Sequence, residues 1–488
     1  MKTKTSLYVF ALVPLLANLA ACSGDTSDDA SSSSGGAPGV GGFTGTGGEN
    51  GTGTGAAPAT GGGAASGGSS TGGFGTGGAG TGGVGTGGNV GTGGNVGTGG
   101  GDGTGGGGVV DDEGYPEHTG AECDVSAGEL ATNNKLPDPF AMNDGSRIGT
   151  KAEWRCRRAE IRKDIEKYEI GTKPEPPTVE ATLSGSSLRV NITTSAGSMT
   201  LSSTVGSASG SGPHCVAIGM DGNTGMISGC VQVPFMHDQV VKNDHSSDTQ
   251  WESDGFYKVY PDLYGKIGNY MAWSWGISRL IDGLEQVKDQ LNIDTTKIGV
   301  HGCSYAGKMA LFAGAFDERI ALTLAQESGG GGIPAWRLSQ DFTTRTGTNV
   351  EKINNTNGAW FMRSMKSLDP YKLPHDHHEL IAMIAPRAVI AFGNSDYDWM
   401  SDEAGYKSMM AAKEVWKALG VSDHIGFDFN KGSTHCSAST SQNNSAKAFV
   451  DRFLKGQNAN TDITIAPNKG SFNLDYASAI DWDTPTLQ

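Results

Sequence analysis

The stretch of sequence that decides the fold is Gly299-Val300-His301-Gly302-Cys303-Ser304-Tyr305-Ala306-Gly307-Lys308. Apolar residues at 298–301 predict a short buried strand, and residues 308–316 predict a helix that leaves the turn between them. A serine at the centre of such a turn needs small neighbours, because the backbone on either side approaches closely. Gly302 and Ala306, two residues before and two after Ser304, meet this requirement.

This strand, turn and helix are typical of the nucleophile turn of α/β hydrolases, although Ala306 replaces the second glycine of the usual G-x-S-x-G pattern. The first backbone N–H groups of the helix carry partial positive charge beside the serine. The N–H of Tyr305 is therefore the predicted oxyanion donor. The alternative is a serine in a glycine-rich loop of another α/β protein, so the interpretation depends on finding a base and an acid.

The predicted general base is His435. A nucleophilic serine needs a base within hydrogen-bond reach, and in this fold the base follows the last strand. His435 follows the strand predicted at residues 426–429, whereas His424 precedes that strand and lies at its wrong end. Three further histidines surround the start of a helix predicted at residues 378–384: His375, His377 and His378. They are interpreted as capping or core residues, with metal ligation as the alternative.

The acid of the catalytic group has two candidate positions. Glu327 follows a predicted strand at residues 320–325, and Asp396 and Asp398 follow another at residues 388–392. An acid orients the imidazole and stabilises its cation, and a carboxylate at either position can do so. The acid of α/β hydrolases usually follows a later strand, which favours the aspartates on fold alone.

Two of the seven cysteines flank the predicted catalytic residues. Cys303 immediately precedes Ser304, and Cys436 immediately follows His435. If the serine and the histidine are neighbours in space, so are the two cysteines. We therefore predict a Cys303–Cys436 disulfide that holds the loop carrying the base, with two free buried thiols as the alternative.

The remaining sequence from about residue 123 predicts one α/β domain. Residues 178–201 alternate polar and apolar side chains in short pieces, which predicts antiparallel strands. Strands and helices then alternate to residue 454, a pattern typical of a parallel sheet with helices on both faces. The predicted fold is an α/β-hydrolase three-layer sandwich with a mainly parallel central sheet and antiparallel N-terminal strands.

The N-terminus predicts export. Lys2 and Lys4 precede an apolar run at residues 6–21 that is too short for a stable membrane span. The run ends in Leu19-Ala20-Ala21-Cys22, which resembles a bacterial lipobox. Residues 1–21 are thus a predicted signal peptide, and a lipid on Cys22 would anchor the protein at the outer membrane or cell surface. The alternative is an ordinary signal peptide with a chance cysteine.

The next region, residues 22–110, is predicted to be a tether. It consists mainly of Gly, Thr, Ser and Ala, so burial of side chains cannot offset the entropy of ordering it. A glycine-rich structural or adhesive segment is the alternative. Residues 111–488 form the predicted catalytic domain. The net charge of the chain is −16, from 36 basic and 52 acidic residues, which argues against nucleic-acid binding.

The nucleophile turn at residues 302–308 is called the elbow below. This chain resembles the glucuronoyl methylesterases of carbohydrate esterase family 15 in the elbow, in Gln326-Glu327-Ser328-Gly329-Gly330 and in His435-Cys436. Further segments share the resemblance: Leu136-Pro137-Asp138-Pro139-Phe140, residues 154–168, Trp273-Ser274-Trp275-Gly276, Pro334-Ala335-Trp336-Arg337, Asp376-His377-His378 and residues 481–485. The resemblance covers nearly all of the globular region. It implies hydrolysis of esters between 4-O-methyl-glucuronic acid on xylan and alcohols of lignin, with no metal or organic cofactor. The protein is further predicted to be a monomer.

The resemblance also implies roles for individual residues. It favours Glu327 as the acid beside Ser304 and His435, with Asp396 as the alternate. Lys308 would bind sugar hydroxyls, and Trp399 would pack beside the sugar. It further implies two more disulfides, joining these pairs: Cys123–Cys156 and Cys215–Cys230.

The chain departs from the family at one position of the elbow. The family usually has arginine directly after the nucleophile, where this chain has Tyr305. A phenol can donate a hydrogen bond but brings no positive charge, and charge-assisted bonds are about twice as strong. Other functions therefore stay open: an acetyl-xylan esterase, a dienelactone-type hydrolase, or a non-catalytic surface protein that binds carbohydrate.

Overall fold

Strands and helices alternate through the part of the chain that a computed structural model describes. The described residues are 117–120, 122–222, 225–243, 248–430 and 434–488. The predicted signal peptide (1–21), the predicted lipidation site Cys22 and the predicted tether (22–110) lie outside these residues. Among the described residues, no helix combines the length and the apolar character that crossing a bilayer requires.

The strands and helices have the following bounds. The strands are β1 Thr178–Ser184, β2 Ser187–Thr193, β3 Ser198–Thr204, β4 His214–Met220, β5 Val231–Phe235, β6 Ile293–Cys303, β7 Ile320–Gln326, β8 Ala388–Phe392, β9 Ile425–Asp428 and β10 Thr464–Ile465. The helices are α1 Trp154–Ile165, α2 Gly255–Val259, α3 Asn269–Gln286, α4 Lys288–Leu291, α5 Tyr305–Phe316, α6 Trp336–Thr346, α7 His377–Ala382, α8 Asp402–Leu419 and α9 Thr440–Phe449. One turn of π-helix extends α1 through Glu166–Ile170, and another extends α9 through Val450–Leu454.

The central sheet has seven strands in the order β10-β9-β8-β7-β6-β4-β5, and every neighbouring pair is parallel. The strands β1, β2 and β3 form a separate antiparallel sheet. The predicted fold class is therefore confirmed. The strand that leads to Ser304, β6, lies inside the sheet, so the serine is carried by a well-supported element.

Successive residues of the sheet strands alternate between two hydrophobic clusters, which produces three layers. In β8, Val389 and Ala391 belong to one cluster, which also contains residues of α3 and α5. The intervening Ile390 and Phe392 belong to the other cluster, where they are joined by Phe449 of α9. Burial on both faces explains why the strands are apolar runs without strict alternation.

Two strands that border the site, β4 and β5, were not predicted from the sequence. Nearly every residue of β4 is buried, and a fully apolar run cannot be told from a buried helix segment by its periodicity. The edge strand β5 contains Pro234, which lacks a backbone donor and is tolerated at a sheet edge. The helix predicted at residues 308–316 begins earlier than predicted, at Tyr305, directly after the serine.

Three disulfides link the described residues. They join Cys123 to Cys156, Cys215 to Cys230 and Cys303 to Cys436, which are the pairs named in the sequence analysis. Disulfides form and persist in oxidising compartments, so the domain has the chemistry of an exported protein.

Candidate active site

Ser304 occupies a strained turn between β6 and α5. Its backbone has φ 59° and ψ −129°, a conformation that L-residues rarely adopt. A Cβ atom added at Gly302 would lie 2.1 Å from the carbonyl oxygen of Ala306, so only glycine fits there. The second close approach is at Gly307, where a Cβ atom would lie 2.4 Å from the carbonyl oxygen of Gln326. The two positions that require glycine are therefore 302 and 307, so alanine at position 306 is compatible with the turn.

Glu327 supplies the carboxylate that contacts the predicted base. It directly follows β7, has a positive φ of 42° and is 1% exposed. Its Oε2 lies 2.8 Å from Nδ1 of His435 and accepts a hydrogen bond from the backbone N–H of Cys436 at 3.1 Å. The alternate acid, Asp396, has an exposed side chain after β8. Of the two candidates, Glu327 therefore has the geometry of the acid.

The Cys303–Cys436 disulfide joins the elbow to the loop of His435. The two Cα atoms are 5.7 Å apart, and a ring nitrogen of His435 lies within 4.8 Å of both sulfur atoms. The bridge closes a loop of 133 residues, which stabilises the fold by about 4–5 kcal/mol in the chain-entropy model. Because both sulfurs are oxidised, they do not act as thiolate ligands for a metal. The bridge instead holds the base beside the residue that follows Cys303.

Two aromatic side chains border the imidazole. The hydroxyl of Tyr397 accepts a hydrogen bond from the backbone N–H of His435 at 3.2 Å. The ring of Trp399 lies 5.0 Å from the His435 ring at an angle of 73°, and 38% of this tryptophan is exposed. An exposed indole beside the base is a surface on which a sugar ring can pack.

Lys308 lies on the first turns of α5 and is buried. Its Nζ contacts Oε2 of Glu351 at 2.5 Å and lies 4.8 Å from the centre of the Trp360 ring. No role was predicted for Glu351 or Trp360, since the family resemblance is poor in the segment after α6. In the structure they hold the ammonium group of Lys308 next to the elbow.

The side chain of Tyr305 is neutral and already hydrogen-bonded, so it does not supply a charged group to the oxyanion. Its hydroxyl donates a hydrogen bond to Asp221, and its ring stacks on Trp360 with 6.3 Å between centroids. Burial raises the pKa of the Tyr305 phenol, and the Asp221 carboxylate raises it further, so the phenol stays neutral. The predicted oxyanion donor is the backbone N–H of this residue, which lies in the first turn of α5, at its positive end.

Asp221 is a residue of the site that was not predicted from the sequence. It directly follows β4, the strand that pairs with β6, and has a φ of 53°. In α/β hydrolases the loop at this sheet position contributes the second oxyanion donor. Recognising β4 in the sequence would have been the signal that placed this loop beside Ser304.

The histidines near α7 are part of the core. Asp376 caps α7, and its neighbours His375 and His377 both contact the buried Glu169, at 3.0 and 2.7 Å. His378 contacts the carbonyl oxygen of Pro137 at 2.8 Å. The interpretation of these residues as capping or core residues is confirmed.

A serine on a strained strand-to-helix turn, opposite an imidazole that a buried carboxylate orients, defines a serine hydrolase of the α/β-hydrolase class. Comparison with known proteins narrows the class. Residues 190–420 match the family described as glucuronyl esterase, fungi. The 4-O-methyl-glucuronoyl methylesterase of Hypocrea jecorina (strain QM6a) is 39% identical over 380 residues, which cover 75% of this chain and 80% of that protein. The chain belongs to the glucuronoyl esterases, carbohydrate esterase family 15.

Solved structures agree with this assignment. A crystal structure of the glucuronoyl esterase from Sporotrichum thermophile is 35% identical with a TM-score of 0.70, over 75% of this chain and all (100%) of that chain. A serine-to-alanine mutant of that esterase was solved in complex with methyl 4-O-methyl-β-D-glucopyranuronate. It is 34% identical with a TM-score of 0.68, over 75% and 100% of the two chains.

Proposed function

We propose that this enzyme hydrolyses esters of 4-O-methyl-glucuronic acid on glucuronoxylan and releases lignin-type alcohols. The observation that carries the proposal is the contact between the buried Glu327 and the partly exposed His435, whose loop a disulfide links to the turn that carries Ser304. The names of the relatives supply the substrate class, since they act on methyl esters of 4-O-methyl-glucuronate.

In the first half-reaction, Oγ of Ser304 attacks the carbonyl carbon of the ester while Nε2 of His435 takes the hydroxyl proton. Glu327, on the other side of the imidazole, stabilises the cation that forms. The backbone N–H of Tyr305 donates to the oxyanion. The tetrahedral intermediate then collapses, the alcohol leaves with the proton from His435, and the glucuronoyl group stays on Ser304.

In the second half-reaction, water attacks the glucuronoyl ester of Ser304. His435 takes a proton from this water and returns it to the serine as the acyl bond breaks. The products are the free glucuronate and the regenerated hydroxyl. Every proton that leaves one group is accepted by another, so the cycle uses only side chains, backbone and water.

Two side chains are suited to hold the sugar. The ammonium group of Lys308 is buried beside the elbow, where it can donate to sugar hydroxyls. The exposed ring of Trp399 beside His435 offers an apolar face to the pyranose. Both groups adjoin the catalytic residues, so sugar contacts and ester position are set together.

The test is hydrolysis of methyl and benzyl glucuronate by the full-length protein and its Ser304→Ala variant. We expect acid release by the wild type and a loss of at least about 10⁴-fold in the variant. A wild type that releases no acid, or a variant that retains full activity, would refute the proposal. Labelling by a fluorophosphonate, with Ser304→Ala as the control, assigns the nucleophile independently of the substrate.

A substrate comparison separates the rival functions. An acetyl-xylan esterase or a dienelactone-type hydrolase would prefer acetyl or lactone substrates over glucuronate esters. A non-catalytic carbohydrate-binding protein would bind xylan without turnover and without labelling of Ser304. We expect glucuronate esters to be hydrolysed faster than galacturonate or acetyl esters.

We further propose that the protein is a monomer that reaches the outer membrane or cell surface through a lipid on Cys22. The sequence around this cysteine and the three disulfides support export. Mass spectrometry of the N-terminal peptide tests the lipid, and Cys22→Ser should release the protein from the membrane fraction. Light scattering of the released protein tests the oligomeric state.

A further inference from the structure

A cluster of buried polar atoms surrounds the carboxyl group of Glu327, the acid of the proposed Ser304–His435–Glu327 triad, on the side away from His435. Four atoms of this cluster have no hydrogen-bond partner within the described part of the chain: Oε1 of Glu327, Oδ1 of Asn394, Oγ of Ser401 and Oδ2 of Asp402. A buried polar group without a partner costs about 1–3 kcal/mol. The catalytic scheme uses only the other oxygen of Glu327, so these atoms need a separate explanation.

The backbone brings the side chain of Asp402 near Glu327, and the charges of the two side chains interact. The strands β7 and β8 are paired, and the N–H of Glu327 donates to the carbonyl oxygen of Phe392 at 2.7 Å. A Cβ atom added at the next residue, Gly393, would lie 2.7 Å from Oδ2 of Asp402. The side chain of Asp402, the first residue of α8, therefore packs against the main chain that adjoins Glu327. Asp402 is 3% exposed and Glu327 is 1% exposed.

The charges around Asp402 favour its neutral form. Burial raises the pKa of Asp402 to about 8, and the charges of Glu327 and Asp398 add to this shift. The N–H of Asn394 and the ammonium group of Lys469 oppose the shift without cancelling it. Two neighbouring carboxyl groups in a buried site do not readily ionise together. Because Glu327 must be ionised to pair with His435, the proton belongs to Asp402.

We propose that Asp402 is a positioning residue whose neutral carboxyl group donates a hydrogen bond to Oε1 of Glu327. This inference rests on the proposed function, since it concerns the acid of the same triad. It gives a partner to both Oε1 of Glu327 and the protonated oxygen of Asp402. The hydroxyl of Ser401 is the competing donor, and the test below separates the two.

Such a bond fixes the triad acid on both of its oxygens. Oε2 of Glu327 is held by Nδ1 of His435 and the N–H of Cys436, and Oε1 by the carboxyl group of Asp402. A neutral donor restrains the glutamate without cancelling the charge that stabilises the His435 cation. Ionisation of Asp402 above about pH 8 removes the donor and adds a second buried negative charge, so the rate should fall.

An activity-independent measurement tests where the proton is. Infrared difference spectroscopy compares the full-length wild type with Asp402→Asn at pH 7. We expect a protonated-carboxyl C=O band in the wild type that is absent from the variant and is lost on raising the pH through about 8. If the spectra of wild type and variant show the same protonated-carboxyl bands, Asp402 is ionised and the proposal is wrong.

A kinetic measurement tests the hydrogen bond. Asp402→Asn keeps a donor, Asp402→Leu removes it, and Ser401→Ala removes the competing hydroxyl. Against methyl glucuronate, we expect the leucine variant to lose about tenfold or more in kcat with little change in KM. We expect the asparagine variant to retain most of kcat and to lack the fall above pH 8. Thermal unfolding of each variant establishes that it is folded.

Three kinetic outcomes also overturn the inference: an unchanged kcat in the leucine variant, the wild-type pH profile in the asparagine variant, or a leucine-like loss in Ser401→Ala. The fluorophosphonate labelling rate of Ser304 is measured in parallel. If the wild type itself is not labelled, the proposed function fails. The infrared comparison then still decides whether Asp402 holds the proton.

Discussion

Two buried glutamates, Glu169 and Glu327, both contact histidines, but they do so in different surroundings. Glu169 contacts Nε2 of His377 at 2.7 Å and Nε2 of His375 at 3.0 Å, and all three side chains are at most 1% exposed. Glu327 contacts Nδ1 of His435 at 2.8 Å, but the side chain of this histidine is 31% exposed. The same chemical pair is therefore enclosed in the core at Glu169 and open to the surface of the site at Glu327.

The two pairs differ in the surroundings of the imidazole ring on the side away from the glutamate. Nδ1 of His377 contacts the carbonyl oxygen of Gly332, so this ring is enclosed by protein on both sides. The His435 ring borders the exposed Trp399 and lies beside the elbow. Burial raises the pKa of Glu169, but the charge and hydrogen bonds of the two histidines outweigh burial and lower it to about 2. A glutamate–histidine pair thus acts in stability or in catalysis according to its access to substrate.

The largest expected effect separates the two pairs by activity. His435→Ala should lower kcat/KM for methyl glucuronate by about 10⁴-fold or more, because no base remains for Ser304. The free energy of unfolding should change by less than about 1 kcal/mol, since the ring is partly exposed. The matched control is His424→Ala, at the opposite end of β9, which should retain activity. Equal activity losses in both variants would contradict the assignment.

The second effect separates the pairs by stability. Glu169→Gln leaves two buried histidines without a carboxylate and should lower the free energy of unfolding by about 3–5 kcal/mol. The folded fraction should keep a kcat within about threefold of wild type, because the change does not reach the reacting atoms. Urea unfolding measures the first quantity and active-site titration normalises the second.

The control for this variant is Glu180→Gln on the exposed face of β1, which should alter stability by about 0.5 kcal/mol or less. Because the pKa of Glu169 is depressed in the folded state, its contribution is present above about pH 4.5 and is lost as the pH falls toward about 2. The stability difference from wild type should shrink over that range. A difference that stays constant would show that Glu169 is not held as a carboxylate.

A third effect concerns the carboxyl group behind the catalytic pair. The pKa of Asp402 is raised to about 8 in the folded protein, from 3.8 for an unperturbed aspartate. Between these two pH values the folded chain therefore binds a proton that the unfolded chain releases. Stability conferred by this proton is complete below about pH 4 and declines as the pH rises to about 8. Urea unfolding at several pH values measures this decline. As the pH rises over that range, the free energy of unfolding of Asp402→Asn should increase relative to that of the wild type by more than about 1 kcal/mol. Parallel curves for the two proteins would be the contrary result.

The smallest expected effect lies on the oxyanion side, away from both glutamate–histidine pairs. Tyr305→Phe removes the hydrogen bond to Asp221 but keeps the backbone N–H, so kcat/KM should fall by about tenfold at most. Tyr371→Phe removes a similar hydrogen bond, to Asp341, at an exposed place outside the site and should leave the kinetics unchanged. A loss approaching that of His435→Ala would mean that the phenol itself binds the oxyanion.

Much of the catalytic site could be predicted because its signals are local. The spacing of Gly302, Ser304 and Ala306 predicts the elbow, and the cysteines beside Ser304 and His435 predict their approach. The strands β4 and β5 were not predicted, since β4 is almost fully buried and shows no polar–apolar alternation, and β5 carries Pro234. Missing β4 concealed Asp221, which depends on sheet order rather than on any pattern near the serine.

The sequence by itself determined the chemical groups, the turn that presents the nucleophile and the family to which the chain belongs. Only the tertiary structure decided which carboxylate contacts His435, and that Asp402 lies behind it. The pairing of β7 with β8 brings residues that are distant in the chain to adjacent strand ends. Contacts of this kind depend on strand register and burial, which no local run of residues specifies.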